Sequence, residues 1–212
     1  MERLVELKKI MVIRASWAII LFTSLASLFI NYFAADDYET KILHKRRIKD
    51  RFFAADAQSP IENRDSFQHL VYFPVLQEYR VRAQWNPIQD TVYLSLRAND
   101  GREQKYRVAG QALFQLNARA DTLNVFYHEE NDKVLFIPFY DSTNGLSTFA
   151  KGRYLEVPKP NAKETNVELD FNLAYTPWSA FSYRYSSVIP PKVNFVSQPL
   201  RCGERYEGMP LP

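Results

Sequence analysis

Residues 133–155 read K-V-L-F-I-P-F-Y-D-S-T-N-G-L-S-T-F-A-K-G-R-Y-L, and this stretch sets the fold class. The nearly unbroken apolar run Val134, Leu135, Phe136, Ile137 and Phe139 predicts a strand buried on both faces. It runs into Asp141-Ser142-Thr143-Asn144-Gly145, where Asp and Thr side chains can bond nearby backbone N–H groups and Gly supplies a positive φ. The chain returns through Thr148 and Phe149 to Gly152-Arg153-Tyr154-Leu155, the start of another strand. Polar groups are thus concentrated where a core strand leaves its sheet, a common place for function.

Working outward, the flanking sequence alternates with period two. Tyr79, Val81, Ala83 and Trp85 share one face against Arg80, Arg82 and Gln84. Val92, Leu94 and Leu96 alternate with Tyr93, Ser95 and Arg97. Asn99-Asp100-Gly101 is a hairpin signal leading into Lys105–Val108. Leu113–Leu116, Leu123–Tyr127 and Val134–Phe139 follow as further short strands. After a polar loop at 158–165, Val167, Leu169, Phe171 and Leu173 read as one amphipathic strand, and Val193–Ser197 as the last. Short strands joined by tight turns predict a mainly β domain, an antiparallel meander forming a sandwich or partly closed barrel.

Before that domain, Ala15–Ala34 runs without a charge until Asp36. About 20 apolar residues match a hydrocarbon core of roughly 30 Å. Trp17, Tyr32 and Phe33 suit the two interfaces. Tyr32 and Phe33 occupy the positions that a signal-peptidase site needs small, so a retained span is expected rather than a cleaved leader. The expected organisation is a basic head (1–14), a transmembrane anchor (15–35), a juxtamembrane helix (36–58), the β-rich domain (59–206) and a tail (207–212). The helix carries Lys41, Lys45, Arg46, Arg47, Lys49 and Arg51 around apolar Ile42, Ile48, Phe52 and Phe53. It reads either as a basic collar on anionic headgroups or as a solvated helix packed on the domain.

The net charge of +3, with no basic face or recognition motif, excludes nucleic-acid binding from the expectations. Cys202 is the only cysteine, so neither an intramolecular disulfide nor a cysteine-based zinc site can form. No G-x-S-x-G, H-x-x-x-H, P-loop or dinucleotide fingerprint occurs, and no cofactor or metal is expected. His44 sits beside the anchor, and His128 reads as an exposed strand end.

The polar set that remains is Asp141, Thr143, Thr148, Arg153, Asp170, Asn172 and Glu204. Asp141 and Asp170 would serve as a general acid/base pair if the fold brought them together in a cleft. Otherwise the set is a structural network, with Arg153 as a bidentate fork joining the Asp141 turn to the Asp170 strand. A second cluster, Trp178, Phe181, Tyr183, Tyr185 and Phe195, lies around Pro177, Pro190 and Pro191 and could line a ligand pocket or a partner surface.

The pattern F-x-D-x-T-x-G-x-x-T-F-x-x-G-R-Y-L from Phe139 to Leu155 resembles the bacterial domain-of-unknown-function family 1684. The resemblance extends to Ser59-Pro60, Phe67-x-x-Leu70-x-Tyr72-Phe73, Leu169–Tyr175, Pro190-Pro191 with Asn194, and Gly203-Glu204, covering about 38–206. It implies a shared fold and no established activity. Ser147 and Phe149 stand where the family pattern has Glu and Tyr, and Ser179 and Ser187 stand at its two cysteine positions. Exported relatives in the family favour a domain outside the inner membrane, with the N-terminus inside. The expected function is a membrane-anchored bacterial envelope protein, a non-enzymatic binding or accessory subunit with a possible membrane-protein partner. A hydrolase using Asp141 and Asp170 is the alternative.

Overall fold

The apolar run at 134–141 forms the strand on which the rest of the domain is laid. In the computed structural model, which describes residues 23–24, 37–128 and 130–208, β5 (Val134–Asp141) is buried along nearly its whole length. Leu135, Ile137 and Phe139 point into the main core with Leu155, Leu169 and Phe171. Phe136 points the other way, into a smaller cluster with Leu96, Val108, Phe126 and Tyr154. Each fully buried large side chain contributes roughly 1.5–3 kcal/mol, so a strand with both faces covered anchors two cores at once.

The sheet has eight strands: β1 (Arg80–Pro87), β2 (Tyr93–Arg97), β3 (Glu103–Leu116), β4 (Arg119–Tyr127), β5, β6 (Arg153–Pro158), β7 (Asn166–Asp170) and β8 (Phe195–Val196). Their main path runs β6-β5-β4-β3-β1-β7, with β2 paired to β3 and β8 to β5. The antiparallel sheet curls until β6 approaches β7, giving a nearly closed barrel rather than a sandwich. Reciprocal backbone bonds between Tyr154 and Tyr175, both 2.9 Å, help to close the remaining gap.

Several elements differ from the sequence reading. The segments Lys105–Val108 and Leu113–Leu116 belong to one 14-residue strand, β3, whose register shifts between Val108 and Gly110. The bulge turns the strand, so its first half covers the outer cluster and its second half the main core. A Cβ on Gly110 would lie 2.4 Å from the Asn86 carbonyl oxygen, so only glycine allows this approach. The amphipathic run 167–173 stops being a strand at Asp170, whose carboxylate caps a 3-10 turn at Phe171–Leu173 by accepting from the Asn172 N–H. β8 pairs with β5 in parallel, so the sheet is not purely antiparallel.

The chain divides into two compact units, 1–43 and 44–212. The described part of the first includes the start of helix α1 (37–55), with an exposed Lys41–Asp37 pair at 2.5 Å. From residue 44 onward the same helix is part of the second unit. Phe53 is fully buried with Ile61, Leu70, Ala180 and Phe181, and Phe52 stacks on Trp178. Ile48, expected to pack, is 51% exposed, while Arg46 and Lys49 turn inward. Arg46 donates to the Phe73 carbonyl at 2.8 Å, and Lys49 pairs with the buried Glu204. Among the described residues no helix is long and apolar enough to cross a membrane. The expected head (1–14), and the expected anchor (15–35) apart from Thr23 and Ser24, lie outside the described residues.

Candidate functional site

The Asp141 turn is built from its own side chains. Asp141 Oδ1 accepts from the Thr143 N–H at 2.8 Å and from Thr143 Oγ1 at 2.5 Å, and Thr143 Oγ1 lies 2.9 Å from Thr148 Oγ1. Asn144 closes the loop by donating to the Phe149 carbonyl at 2.8 Å. Gly152 follows with φ +93°, packed so closely that a Cβ would lie 2.5 Å from Pro190 Cγ.

Arg153 comes next and points into the barrel with no exposed surface. Its guanidinium donates to Asp141 Oδ2 at 2.8 Å, to the Leu200 carbonyl at 2.8 Å and to the Cys202 carbonyl. A weaker bond reaches the Glu204 carbonyl at 3.4 Å. The fork therefore ties the Asp141 turn to residues 200–204, not to the Asp170 strand. Leu200 reciprocates, its N–H donating to Asp141 Oδ1 at 3.2 Å. Cys202 sits inside this set. Burial pushes its thiol up, and Asp141 and Asp170 add to that shift while Arg153 and Arg46 oppose it. That makes it an inert thiol.

The other members of the polar set hold neighbouring joints. Asn172 clasps Leu76, accepting from its N–H at 3.0 Å and donating to its carbonyl at 2.8 Å. Asp170 Oδ1 receives the Asn172 N–H and Nδ2. Glu204 accepts from the Thr176 N–H at 2.8 Å besides pairing with Lys49. All seven residues are buried. Among the described residues no three His, Cys, Asp or Glu side chains come together to hold a metal.

The predicted cluster around residues 177–195 does not form one site. Phe181 is buried edge-on against Phe53, Trp178 lies between Phe52 and Tyr185, and Tyr183 is 76% exposed. The two positions where the family pattern has cysteine do meet: the Ser179 N–H donates to Ser187 Oγ at 3.3 Å.

Ser187 also lies on the edge of a different aromatic site. On the outer face of the sheet a cavity of about 210 Å³ is lined by Tyr106, Phe136, Tyr154 and Tyr175, with His128, Glu130 and Ser187 at its margins. Register builds it: Phe136 faces Phe126 across β4 and Glu156 across β6. Neighbouring rings stand nearly perpendicular, Phe136 to Tyr154 at 80° and Tyr154 to Tyr175 at 88°. The Tyr175 hydroxyl donates to Glu156 Oε1 at 2.5 Å, and His128 Nε2 lies 3.6 Å from the same oxygen. Burial raises the Tyr154 and Tyr175 phenols, and Glu156 adds to the rise at Tyr175. His128 is thus a half-buried wall residue rather than a free strand end. The sequence signal for this cleft was apolar character on both faces of β5. Its outer partners come from five other segments, so no local pattern names them.

A family model described as "Protein of unknown function (DUF1684)" matches residues 65–205. No curated protein matches the chain. A solution NMR structure of an uncharacterized protein from gene locus rrnAC0354 of Haloarcula marismortui is 34% identical, covering 82% of this chain and 97% of that one with a TM-score of 0.66.

Proposed function

We propose, from the premise that this chain belongs to the DUF1684 family of proteins of unknown function, that it is a membrane-tethered, non-enzymatic binding module whose ligand enters the outer aromatic cleft. The observation that carries this reading is the cleft itself, a cavity of about 210 Å³ walled by Tyr106, Phe136, Tyr154 and Tyr175. Apolar and aromatic concavities with a few convergent polar groups are the usual form of a ligand site. The buried polar set supports the same choice. A hydrolase using Asp141 and Asp170 needs a carboxylate facing a substrate, whereas Asp141 is enclosed by Thr143, Leu200 and Arg153 and Asp170 caps a turn.

The test is native mass spectrometry of the full chain, extracted from its own membranes in a non-ionic detergent. A small molecule should co-purify and be lost in Gln104→Trp, which fills the cleft from a half-buried position on β3. The same molecule retained at full occupancy in that variant would place the site elsewhere.

Tethering rests on the uncharged run Ala15–Ala34, which in this reading spans the inner membrane with the domain on its outer side. Because Cys202 is buried with a raised thiol, a cysteine introduced at exposed Ala162 is a clean reporter. Ala162→Cys should react with a membrane-impermeant thiol reagent in intact spheroplasts. Labelling only after lysis would reverse the topology. A stoichiometric membrane-protein partner in mild-detergent purification is expected of an accessory subunit, and a lone monomer would remove that part of the reading.

A further inference from the structure

The geometry points to a small organic cation, of the alkylammonium type, as the ligand of the outer cleft. This rests on reading the cleft as a ligand site. The cleft's four rings present electron-rich faces, beside the Gln104 amide and the Ser186 and Ser187 hydroxyls. Tyr154 spends its hydroxyl proton on the Val188 carbonyl, Tyr175 on Glu156, and Tyr106 faces Gln104 Oε1 at 3.4 Å. What these three phenols leave for a ligand is ring faces and oxygen lone pairs, which attract positive charge. The charges at hand have the matching sign. Glu130 lies on the margin and Glu156 lies behind Tyr175, while none of the described lining residues is a lysine or arginine.

Shape narrows the class further. A flat ligand stacks best between parallel walls, but Tyr154 stands at near right angles to both Phe136 and Tyr175, although Tyr106 lies at 33° to Phe136. A tetrahedral ammonium touches several perpendicular faces at once, as in the aromatic cages that recognise quaternary ammonium groups. The volume of about 210 Å³ falls below the roughly 300–1,000 Å³ of drug-sized sites and suits a head group. The fold already uses this chemistry nearby: the Lys49 ammonium lies 4.5 Å from the Tyr175 ring centroid, although Lys49 is not part of the cleft wall. An anion would meet Glu130 and the ring faces with no lysine or arginine among the described lining residues to compensate it.

Isothermal titration of the full chain in an alkyl maltoside compares choline with its uncharged carbon isostere 3,3-dimethylbutanol. Choline should bind about tenfold tighter or more. Tyr106→Leu and the exposed Glu130→Gln should each weaken choline binding several-fold, and by a clearly larger factor than they weaken binding of the isostere. If Tyr106→Leu fails to fold, Glu130→Gln alone carries the comparison. Equal binding of the two probes would make the cleft merely apolar and overturn the cation class. So would preferential binding of acetate or phosphate, or no response to choline. None of these results would affect co-purification of a ligand lost in Gln104→Trp, which judges the site separately. Competition by phosphatidylcholine vesicles, but not by phosphatidylglycerol vesicles, would assign the cation to a lipid head group. Free choline bound without such competition would assign it to a solute.

Discussion

Arg153→Ala is the perturbation that most directly probes what the best-matched motif is for. The wild-type side chain is fully buried and paired with Asp141, whose side chain is equally inaccessible. Removing one partner of a buried pair costs roughly 3–5 kcal/mol, because the remaining charge is stranded. Here Asp141 keeps the Thr143 N–H, the Thr143 hydroxyl and the Leu200 N–H, which holds that contribution toward the lower end. The Leu200 and Cys202 carbonyls lose their guanidinium donor as well, at about 1–3 kcal/mol each before water enters the vacated space. A net loss of about 5 kcal/mol follows, a large part of the 5–15 kcal/mol available to a domain. At about 2–4 °C per kcal/mol for a chain of this size, Tm should fall by roughly 10–20 °C. Arg153→Lys keeps the charge but cannot reach all the acceptors, so it should fall by about half as much. In Arg153→Met/Asp141→Asn the loss should be smaller than the sum of the single changes, since no charge remains unpaired. Thermal and urea melts of the full chain in detergent measure all three. An Arg153→Ala melt within about 2 °C of the parent would refute the clamp.

Gly152→Ala should cost about 2–4 kcal/mol in the same melts, since φ is +93° and the new Cβ would meet Pro190 and the Phe139 carbonyl; an unchanged midpoint would contradict that packing. Lys49→Ala leaves the buried Glu204 carboxylate with the Thr176 N–H as its remaining described bond, so about 1–3 kcal/mol should be lost and α1 should exchange amide hydrogens faster. Alkali should also destabilise the fold. Burial raises the Cys202 thiol and the Tyr72, Tyr154 and Tyr175 phenols, so the unfolded chain releases those protons first as pH rises. Their contribution is complete below the ordinary thiol value of about 8.5, begins to fade above it, and falls more steeply past the phenol value of about 10. The slope approaches about 1.4 kcal/mol per pH unit for each group, and urea midpoints across that range, alongside phenolate absorbance, should show it. A flat midpoint through pH about 11 would place these groups in water.

Local chemistry was enough for several elements. The apolar run at 134–139 announced a strand covered on both faces because no alternation left a polar side for solvent. Asn99-Asp100-Gly101 announced its hairpin, and Asp141–Gly145 its turn, because both depend on backbone geometry and bonds a few residues long. What period two cannot say is what will cover each face. The hairpin at Asn117-Ala118 carries no such local signal, because alanine rarely adopts the φ of +63° found there. The span from Phe171 to Leu173 kept its alternation yet left the sheet, because the Asp170 cap competes with the ladder.

Charged residues were the least legible. In α1, Ile48 faces out and Arg46 and Lys49 face in, an inversion of the usual rule that depends on acceptors at Phe73 and Glu204, distant in sequence. The cleft is the extreme case. Tyr106, Phe136, Tyr154 and Tyr175 lie on separate elements, and only strand register and the curl of the sheet bring them together. Sequence by itself determined the β character, the core strand and the turn that Arg153 completes, since these follow from burial and bonding over a few residues. Tertiary structure alone decided which carbonyls Arg153 clamps and where Tyr106 and Tyr175 form a cleft over buried Phe136 and Tyr154, because side-chain partners across a curled sheet are set by register rather than by proximity along the chain.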